Sequence, residues 1–511
     1  MTPPSPTCSP DFETFAAGYD AGQPQVVWTR IIDDLETPVS AYLKIGAGRP
    51  YAFLFESVEG GAWRGRYSII TLFPDLVWRC RGQAAEISEG EDIAAGRFHK
   101  EDAGALDSLK ALIARSRLEL PDELPPMAAG VFGALGYDMV RLVEDLLAEH
   151  ADPLGLPDGV MTRPGVVAVF DAIAQEIVLV ASVRPGAAPA RAAYDQAVGR
   201  LQQITTELAT PLAPRAAHAP WAPEPYQTPV SRQAYAGFIE RAKAYIRAGD
   251  IFQVVPSHRM RTRFELDTFA FYRALRRLNP SPFMFYLNFG DFQLAGSSPE
   301  IMVRLRDGKI TIRPIAGTRP RGKTPAEDLR LEQELLADPK ERAEHLMLLD
   351  LGRNDVGRVA GLAAPGANAA RTPAVRVTES FTVERYSHVM HIVSNVEGDA
   401  PPGVDPVDVL MAALPAGTLS GAPKVRAMQI IDELETEKRG IAYAGAAGYI
   451  SSGGAVDTCI LLRTALFKDG MMYVQAGGGI VADSDPDAEY DETLHKARAL
   501  ARAAEEAWRF A

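Results

Sequence analysis

Between Gln25 and about Ser88 the chain presents one run after another of β-branched and aromatic residues: QVVWTRII, VSAYLKI, YAFLFESV and RYSIITLFPDLVW. So dense a set of strand formers makes this part mainly β. Helical periodicity enters later, in GALDSLKALIARSRL from Gly104 and in ARAAYDQAVGRLQQITTEL, and between them VVAVFDA from Val166 and EIVLVASV from Glu176 read as paired strands. Thr210 to Pro229 then carries six prolines in twenty residues with little periodicity, which marks a linker or long surface connection. The second part opens on a helix, SRQAYAGFIERAKAYIRAG, capped by Ser231 and ended by Gly249. Strands and helices mix after that, including DIFQVVPSHRMRTRF, DTFAFYRALRRL, PFMFYLNF, AGAAGYISSG and DTCILLRTALFK. The expected organisation is a tail over 1–24, a β-rich part over 25–209, a linker over 210–229 and a second part over 230–511.

Composition narrows the classes. Hydrophobic residues make up 47% and charged residues 23%, the balance of a globular chain. A net charge of −13 with no long basic run disfavours a nucleic-acid partner. Cys8, Cys80 and Cys459 are far apart and form no C-x-x-C, against a disulfide framework or zinc site and in keeping with a reducing cytoplasm. The N-terminus lacks the basic and apolar regions of a signal peptide, and no apolar run approaches the roughly 18 residues of a membrane span.

The stretch Asp338 to Asp355, DPKERAEHLMLLDLGRND, puts carboxylates where a helix should be apolar. Asp338 is a good N-cap, Pro339 suits the first position and Glu341 can close a capping box. Glu344 shares a face with Met347 and Leu348, and a buried carboxylate is costly unless paired, hydrogen-bonded or metal-bound. A second set follows Asp485-Pro486, where Glu489, Glu492 and Lys496 fall on one helical face. Two such helices can present their glutamates to each other, and oxygen-only ligands suit Mg²⁺. The plain alternatives are a solvated E-x-x-E face and a surface Glu492–Lys496 ion pair. GTLSGAPK, 417–424, is a glycine-rich turn entering a helix and a natural anion site, though without Walker A spacing. QAGGGI allows a ligand to touch backbone, or is merely a tight bend. Arg463 lies in an apolar strand, where it caps the sheet edge or forks onto a carboxylate; His388 and His391 flank another.

Taken together, GDIFQVVPS, GSSPE, PIAGT, AEHLMLLDLGRND, VMHIVSNVEG, GTLSGAPK, DTCILLRTA, VQAGGGIV and DETLHKA closely resemble the chorismate-utilising enzymes, and within them anthranilate synthase component I. The resemblance spans Tyr235 to Arg502 and extends more thinly to FESVEG and GRYS in the first half, which look like the regulatory segment. It implies an α/β (α+β) fold, a large β-sandwich core with helices on the outer faces. It also implies a Mg²⁺-dependent reaction in which chorismate and ammonia give anthranilate and pyruvate through an aminated intermediate. Carried over by motif, Glu344 and Glu492 hold Mg²⁺ with Glu341 and Glu489 as outer supports. Glu300 is the general acid at the departing C4 hydroxyl and His391 serves the final pyruvate elimination. Tyr449 and Arg463 bind the enolpyruvyl carboxylate. Lys496 and the backbone of Gly417, Thr418, Leu419, Ser420 and Gly421 and of Gly477, Gly478 and Gly479 hold the ring and its carboxylate.

Siblings differ at two positions. Gln253 stands where isochorismate and salicylate synthases carry a water-activating lysine, and Ala316 where aminodeoxychorismate synthases carry a lysine nucleophile. None of the three cysteines sits in a glutaminase-type nucleophile turn, so the resemblance implies a glutamine amidotransferase subunit that delivers ammonia and a hetero-oligomer. It also implies feedback inhibition by tryptophan at Glu56, Ser57, Asn279, Pro282 and Met284, although NPSPF alone could be a strand-entry turn. Aminodeoxychorismate synthase component I and a catalytically silent tryptophan-binding homologue are the alternatives. GLAAPGANAARTP, 361–373, reads as a surface-loop insertion.

Overall fold

The computed structural model describes residues 7–57, 65–146, 150–213, 219–361, 375–386 and 389–511. His388, the proposed loop insertion beyond Gly361 and the end of FESVEG lie outside them.

Long strands buried on both faces define the layers. In Gly159–Asp171 every residue is buried, and successive side chains alternate between two apolar clusters. Val166, Ala168 and Phe170 point to one that includes residues of the helices Phe12–Asp20, Ala190–Ala209, Thr268–Leu278 and Pro486–Glu506. Val167 and Val169 point to another built largely from strands, with Phe53, Phe132, Val178, Val180, Phe285 and Leu294. The period of two in side-chain direction makes such a strand apolar throughout rather than alternating. On the other side Leu76, Trp78 and Cys80 join the helices Ala105–Arg115, Pro339–Ala360 and Pro406–Ala413, while Val77 between them faces the largely strand-built cluster. The result is a mixed α/β fold: a large antiparallel sheet structure packed on itself, with helices outside, as expected.

Strands from before and after the proline-rich stretch pair directly. Phe53–Glu56 pairs with Phe283–Asn288, setting Glu56 opposite Met284, and Gly130–Leu135 pairs with Ala446–Ser451, setting Phe132 opposite Tyr449. Within the segment read as a tail, Phe12–Asp20 is a helix capped by Asp11, with Phe15 buried against the first cluster. Among the described residues, no helix is long and apolar enough to cross a membrane.

Two local expectations differ. The apolar run DTCILLRTALFK is two strands, Val456–Ile460 and Thr464–Lys468, because it changes partners: the first pairs with Ile301–Arg306 and the second with Phe292–Ser298. Arg463 therefore sits in a break, with φ of 51°, and its carbonyl accepts the Ser297 N–H at 3.2 Å. At the start of Pro339–Ala360, Asp338 caps as expected by accepting from the N–H groups of Lys340 and Glu341 at 2.9 and 3.3 Å. The Glu341 carboxylate, however, is drawn to Arg319 at 2.8 Å.

Candidate active site

The helices Pro339–Ala360 and Pro486–Glu506 both border one cavity of about 1410 Å³. Asp485 caps the second, accepting from Asp487 and Ala488 N–H at 3.1 and 2.9 Å, and so sets the first turn from which Glu489 projects. Four glutamates of these two helices line the cavity, and their partners divide them. Glu341 is held by Arg319, and Glu489 accepts from Ser484 Oγ at 2.7 Å. Glu492 meets Lys496 at 2.8 Å with both side chains about half exposed, which is the surface i,i+4 pair, and Lys496 also donates to Gly477 O at 3.0 Å. Glu344 has no hydrogen-bond or ion-pair partner among the described residues, and burial followed by the Glu341 carboxylate pushes its carboxyl above the usual range, Glu492 adding to it. Glu489 is raised by burial as well, with Glu492 contributing.

Clustered carboxylates that raise one another leave room for a cation, and this donor set is oxygen only. Among the described residues no three acidic, imidazole or thiol groups form a complete metal cage. Mg²⁺ does not need one, since it binds through one or two carboxylates and keeps waters and substrate oxygens. The unpartnered Glu344 with Glu492 across the cavity fits that habit.

Glu300, Gln253, His391, Arg463, Thr418 and Leu419 also line the cavity. Burial pushes the Glu300 carboxyl up to about 8, against which the Thr418 hydroxyl and Ile315 N–H act only in part. His391 Nδ1 lies 2.9 Å from Gly317 O and 3.1 Å from Thr318 Oγ1. A carbonyl only accepts, so Nδ1 carries the hydrogen and Nε2 is left bare. Burial lowers the His391 pKa, and the nearby Arg463 charge lowers it further. The Arg463 guanidinium neither caps an edge nor forks onto a carboxylate: among the described residues it makes no ion pair, and burial lowers its pKa. A non-glycine residue in the left-handed region is strained, and here the strain turns a cation into the cavity.

Not every expected residue is in the wall. Gly417, Ser420 and Gly421 stand behind it, and the N–H groups of Leu419 and Ser420 are used inside the turn, bonded to Ala416 O and Gly417 O at 3.1 and 3.3 Å. The Thr418 hydroxyl, buried beside the Glu300 carboxyl, is the polar atom this loop offers. Gly477 and Gly479 line the cavity, while Gly478 lies against Glu489, whose Oε2 would be 3.0 Å from a Cβ there. A Cβ on Gly479 would fall 2.1 Å from Gln253 Nε2, so only glycine lets that amide in. Gln253 Oε1 is buried with no partner among the described residues.

Tyr449 is a correction. It belongs to the largely strand-built cluster, its ring 5.5 Å from Phe132 and its hydroxyl beside Arg306, because the alternation of its strand turns it away from the cavity. Tyr443 is nearer: its buried Oη has no partner among the described residues and would lie 2.9 Å from a Cβ on Gly477. Both tyrosines occur in one glycine- and alanine-rich stretch, and only the position relative to the strand start separates them. Gly317 and Thr318, which fix His391, were within reach through the glycine of PIAGT, whose φ is +68°.

Of the residues expected to hold tryptophan, Glu56 and Met284 are cross-strand partners. Glu56 is buried and committed to Tyr272 Oη and to Arg276 at 2.9 and 3.0 Å. Asn279 O accepts from Ser297 Oγ at 2.6 Å, and Pro282 is buried beside them in sequence.

A chain with this fold and with an acid, a bare imidazole and an unpaired arginine around one cavity belongs to the chorismate-binding enzymes, whose family profile matches residues 53–502. It is 54% identical to the anthranilate synthase component 1 of Cereibacter sphaeroides over 98% of both chains, and 47% identical to that of Pseudomonas aeruginosa over 92% of this chain and 93% of the relative. The crystal structure of anthranilate synthase component I from Streptococcus pneumoniae TIGR4 superposes with a TM-score of 0.73 at 35% identity, covering 92% of this chain and 98% of that one. The menaquinone-specific isochorismate synthase of Escherichia coli, 20% identical with a TM-score of 0.69 over 97% of this chain and 100% of that one, shares the fold.

The Glu300 shift has a measurable consequence. Its folded-state pKa of about 8 lies above the ordinary 4.5, so the folded chain holds this proton more tightly than the unfolded one. The associated stability is full below about pH 4.5 and is lost progressively as pH rises through about 8. Glu300→Gln should flatten that fall in denaturant midpoint; an unchanged slope between wild type and variant would contradict the assignment.

Proposed function

We propose that this chain is the catalytic subunit of an anthranilate synthase, converting chorismate and ammonia to anthranilate and pyruvate in the cytoplasm as part of tryptophan biosynthesis. The observation that carries it is the opposed pair in one cavity: a carboxyl held protonated at Glu300 and a bare imidazole nitrogen at His391. The reaction needs both. Loss of the C4 hydroxyl requires an acid, and aromatisation requires a base to take the ring proton as the enolpyruvyl oxygen leaves.

Chorismate carries two carboxylates. The unpaired Arg463 suits the enolpyruvyl carboxylate, with the unpartnered Tyr443 hydroxyl a further candidate donor, and Lys496 with the backbone at Gly477 suits the ring carboxylate. Glu344 and Glu492 would hold Mg²⁺, supported by Glu341 and Glu489, and the ion would neutralise the ring carboxylate and favour departure of the hydroxyl. Glu300 gives its proton to that hydroxyl as ammonia adds to the ring. His391 Nε2 then takes the proton from the aminated carbon, and the C–O bond to the enolpyruvyl group breaks to release pyruvate. Gln253 offers an acceptor oxygen but no base for water, and Ala316 offers no nucleophile, which favours free ammonia as the attacking group. The family name component 1 fits a second subunit, for which we propose a glutamine amidotransferase that supplies the ammonia.

Chorismate, ammonium salts and Mg²⁺ should give growing anthranilate fluorescence without any partner chain. Glu344→Gln should reduce that rate by about 10²-fold or more with the fold retained. An unchanged rate would sink the ligand assignment, and no fluorescence from wild type would sink the function.

Tryptophan inhibition is proposed at Glu56, Ser57, Asn279, Pro282 and Met284. Ser57→Ala should raise the tryptophan concentration needed for half inhibition while leaving turnover near wild type; equal inhibition of both proteins would count against this pocket.

A further inference from the structure

The clustered glutamates Glu341, Glu344, Glu489 and Glu492 sit on two helices, and in each the residue after the inner glutamate turns into the sheet. After Glu344 comes His345, fully buried, with Nε2 2.6 Å from Ser394 Oγ on the strand Val389–Asp399. Ser394 Oγ also accepts the Phe381 N–H at 3.1 Å, and the Phe381 ring stands edge-on to the imidazole at 4.8 Å between centroids. After Glu492 comes Thr493, fully buried, with Oγ1 2.7 Å from Nε2 of His258 on the strand Ser257–Arg263. Thr493 spends its hydroxyl hydrogen on Tyr490 O at 2.7 Å, so its oxygen accepts and His258 Nε2 donates. The Tyr490 ring stacks on that imidazole at 5.3 Å.

We propose that these two imidazole–hydroxyl bonds are positioning contacts for the carboxylate cluster: each fixes the rotation of its helix about its own axis, and so the direction in which Glu344 or Glu492 points. The inference rests on the reading of those glutamates as Mg²⁺ ligands.

Apolar packing is non-directional and tolerates small rotations of a helix, whereas a buried hydrogen bond has one length and one direction. Successive helical residues are about 100° apart, so holding residue 345 or 493 against the sheet leaves the preceding glutamate one direction only. A rotation of about 20° would carry a carboxylate roughly 6 Å from the helix axis through about 2 Å. That is as long as a Mg²⁺–oxygen bond of about 2 Å, for an ion that demands near-ideal geometry. The anchors come from different strands and use opposite senses, imidazole on the helix in one case and on the sheet in the other, so each can be cut separately.

The test uses the full-length chain and Mn²⁺ as a paramagnetic probe of the metal site. Thr493→Val keeps shape and burial and removes only the hydroxyl; Ser394→Ala cuts the other anchor; Thr493→Ser restores the bond. Outer contacts of this kind typically contribute 10–100-fold to metal affinity, so Thr493→Val and Ser394→Ala should each weaken Mn²⁺ binding by about 10-fold or more at unchanged far-UV circular dichroism. Thr493→Ser should stay within about twofold of wild type. Wild-type affinity in both deletion variants, even with a lowered melting temperature, would overturn the proposal and leave the bonds a role in stability alone. If one deletion variant fails to fold, the other decides. A wild-type chain that binds no Mn²⁺ at all would overturn the metal reading itself and this inference with it.

Discussion

The cavity depends on one buried ion pair, Arg439 with Glu435. The guanidinium forks onto the carboxylate at 2.9 and 2.6 Å and spends its other donors on Leu419 O and Val255 O at 2.8 and 2.7 Å. The same Glu435 oxygen accepts the Ser257 N–H and hydroxyl at 2.7 and 2.9 Å. Burying two charges costs several kcal/mol each unless every donor and acceptor is matched, and here the matching groups belong to separate segments. The residue after the strand Gln253–Val254, the loop carrying Thr418 and the strand opening at Ser257 are thereby brought to one point. Tyr443 packs over the guanidinium at 5.4 Å, and Tyr137 lies over it at 4.6 Å. A second buried pair, Lys424 with Asp355 at 2.6 Å, ties the helix after that loop to the helix that carries Glu344.

With the frame fixed, the cavity has a division of charge. Carboxylates gather where the two helices border it, and Arg463 stands among the sheet-derived residues. Glu300 also lines the cavity, acidic in residue type yet held largely protonated near pH 7 because burial pushes its carboxyl up to about 8. On the function proposed above, a dianionic substrate bound there would meet a cation, a proton donor and a base whose tautomer is set by a backbone carbonyl. These are arrangements of groups held before substrate arrives, the kind that contributes most where water is excluded.

Features that depend on neighbours within four residues were legible in the sequence. Asp338, Asp485 and Ser231 cap the helices they were expected to cap, and Gly249 ends its helix in the left-handed conformation. The layers were legible too, because strands such as Gly159–Asp171 are apolar on both faces. What failed depended on partners far away in the chain. Glu341 is diverted from the capping box by Arg319, the strand around Arg463 breaks because its two halves have different partners, and Tyr449 is turned into the core by register with Phe132. Nothing near His258 and His345 in sequence marks their hydroxyl partners, 235 and 49 residues away.

The central claim is that the cavity adds nitrogen to chorismate and expels pyruvate. The direct test is mass spectrometry of the products formed from chorismate and ¹⁵N-labelled ammonium with Mg²⁺. An aromatic product one labelled nitrogen heavy with the mass of anthranilate, accompanied by an equal amount of pyruvate, is the predicted result. A nitrogen-free isomer of chorismate, or an aminated product that retains the enolpyruvyl group, would contradict it.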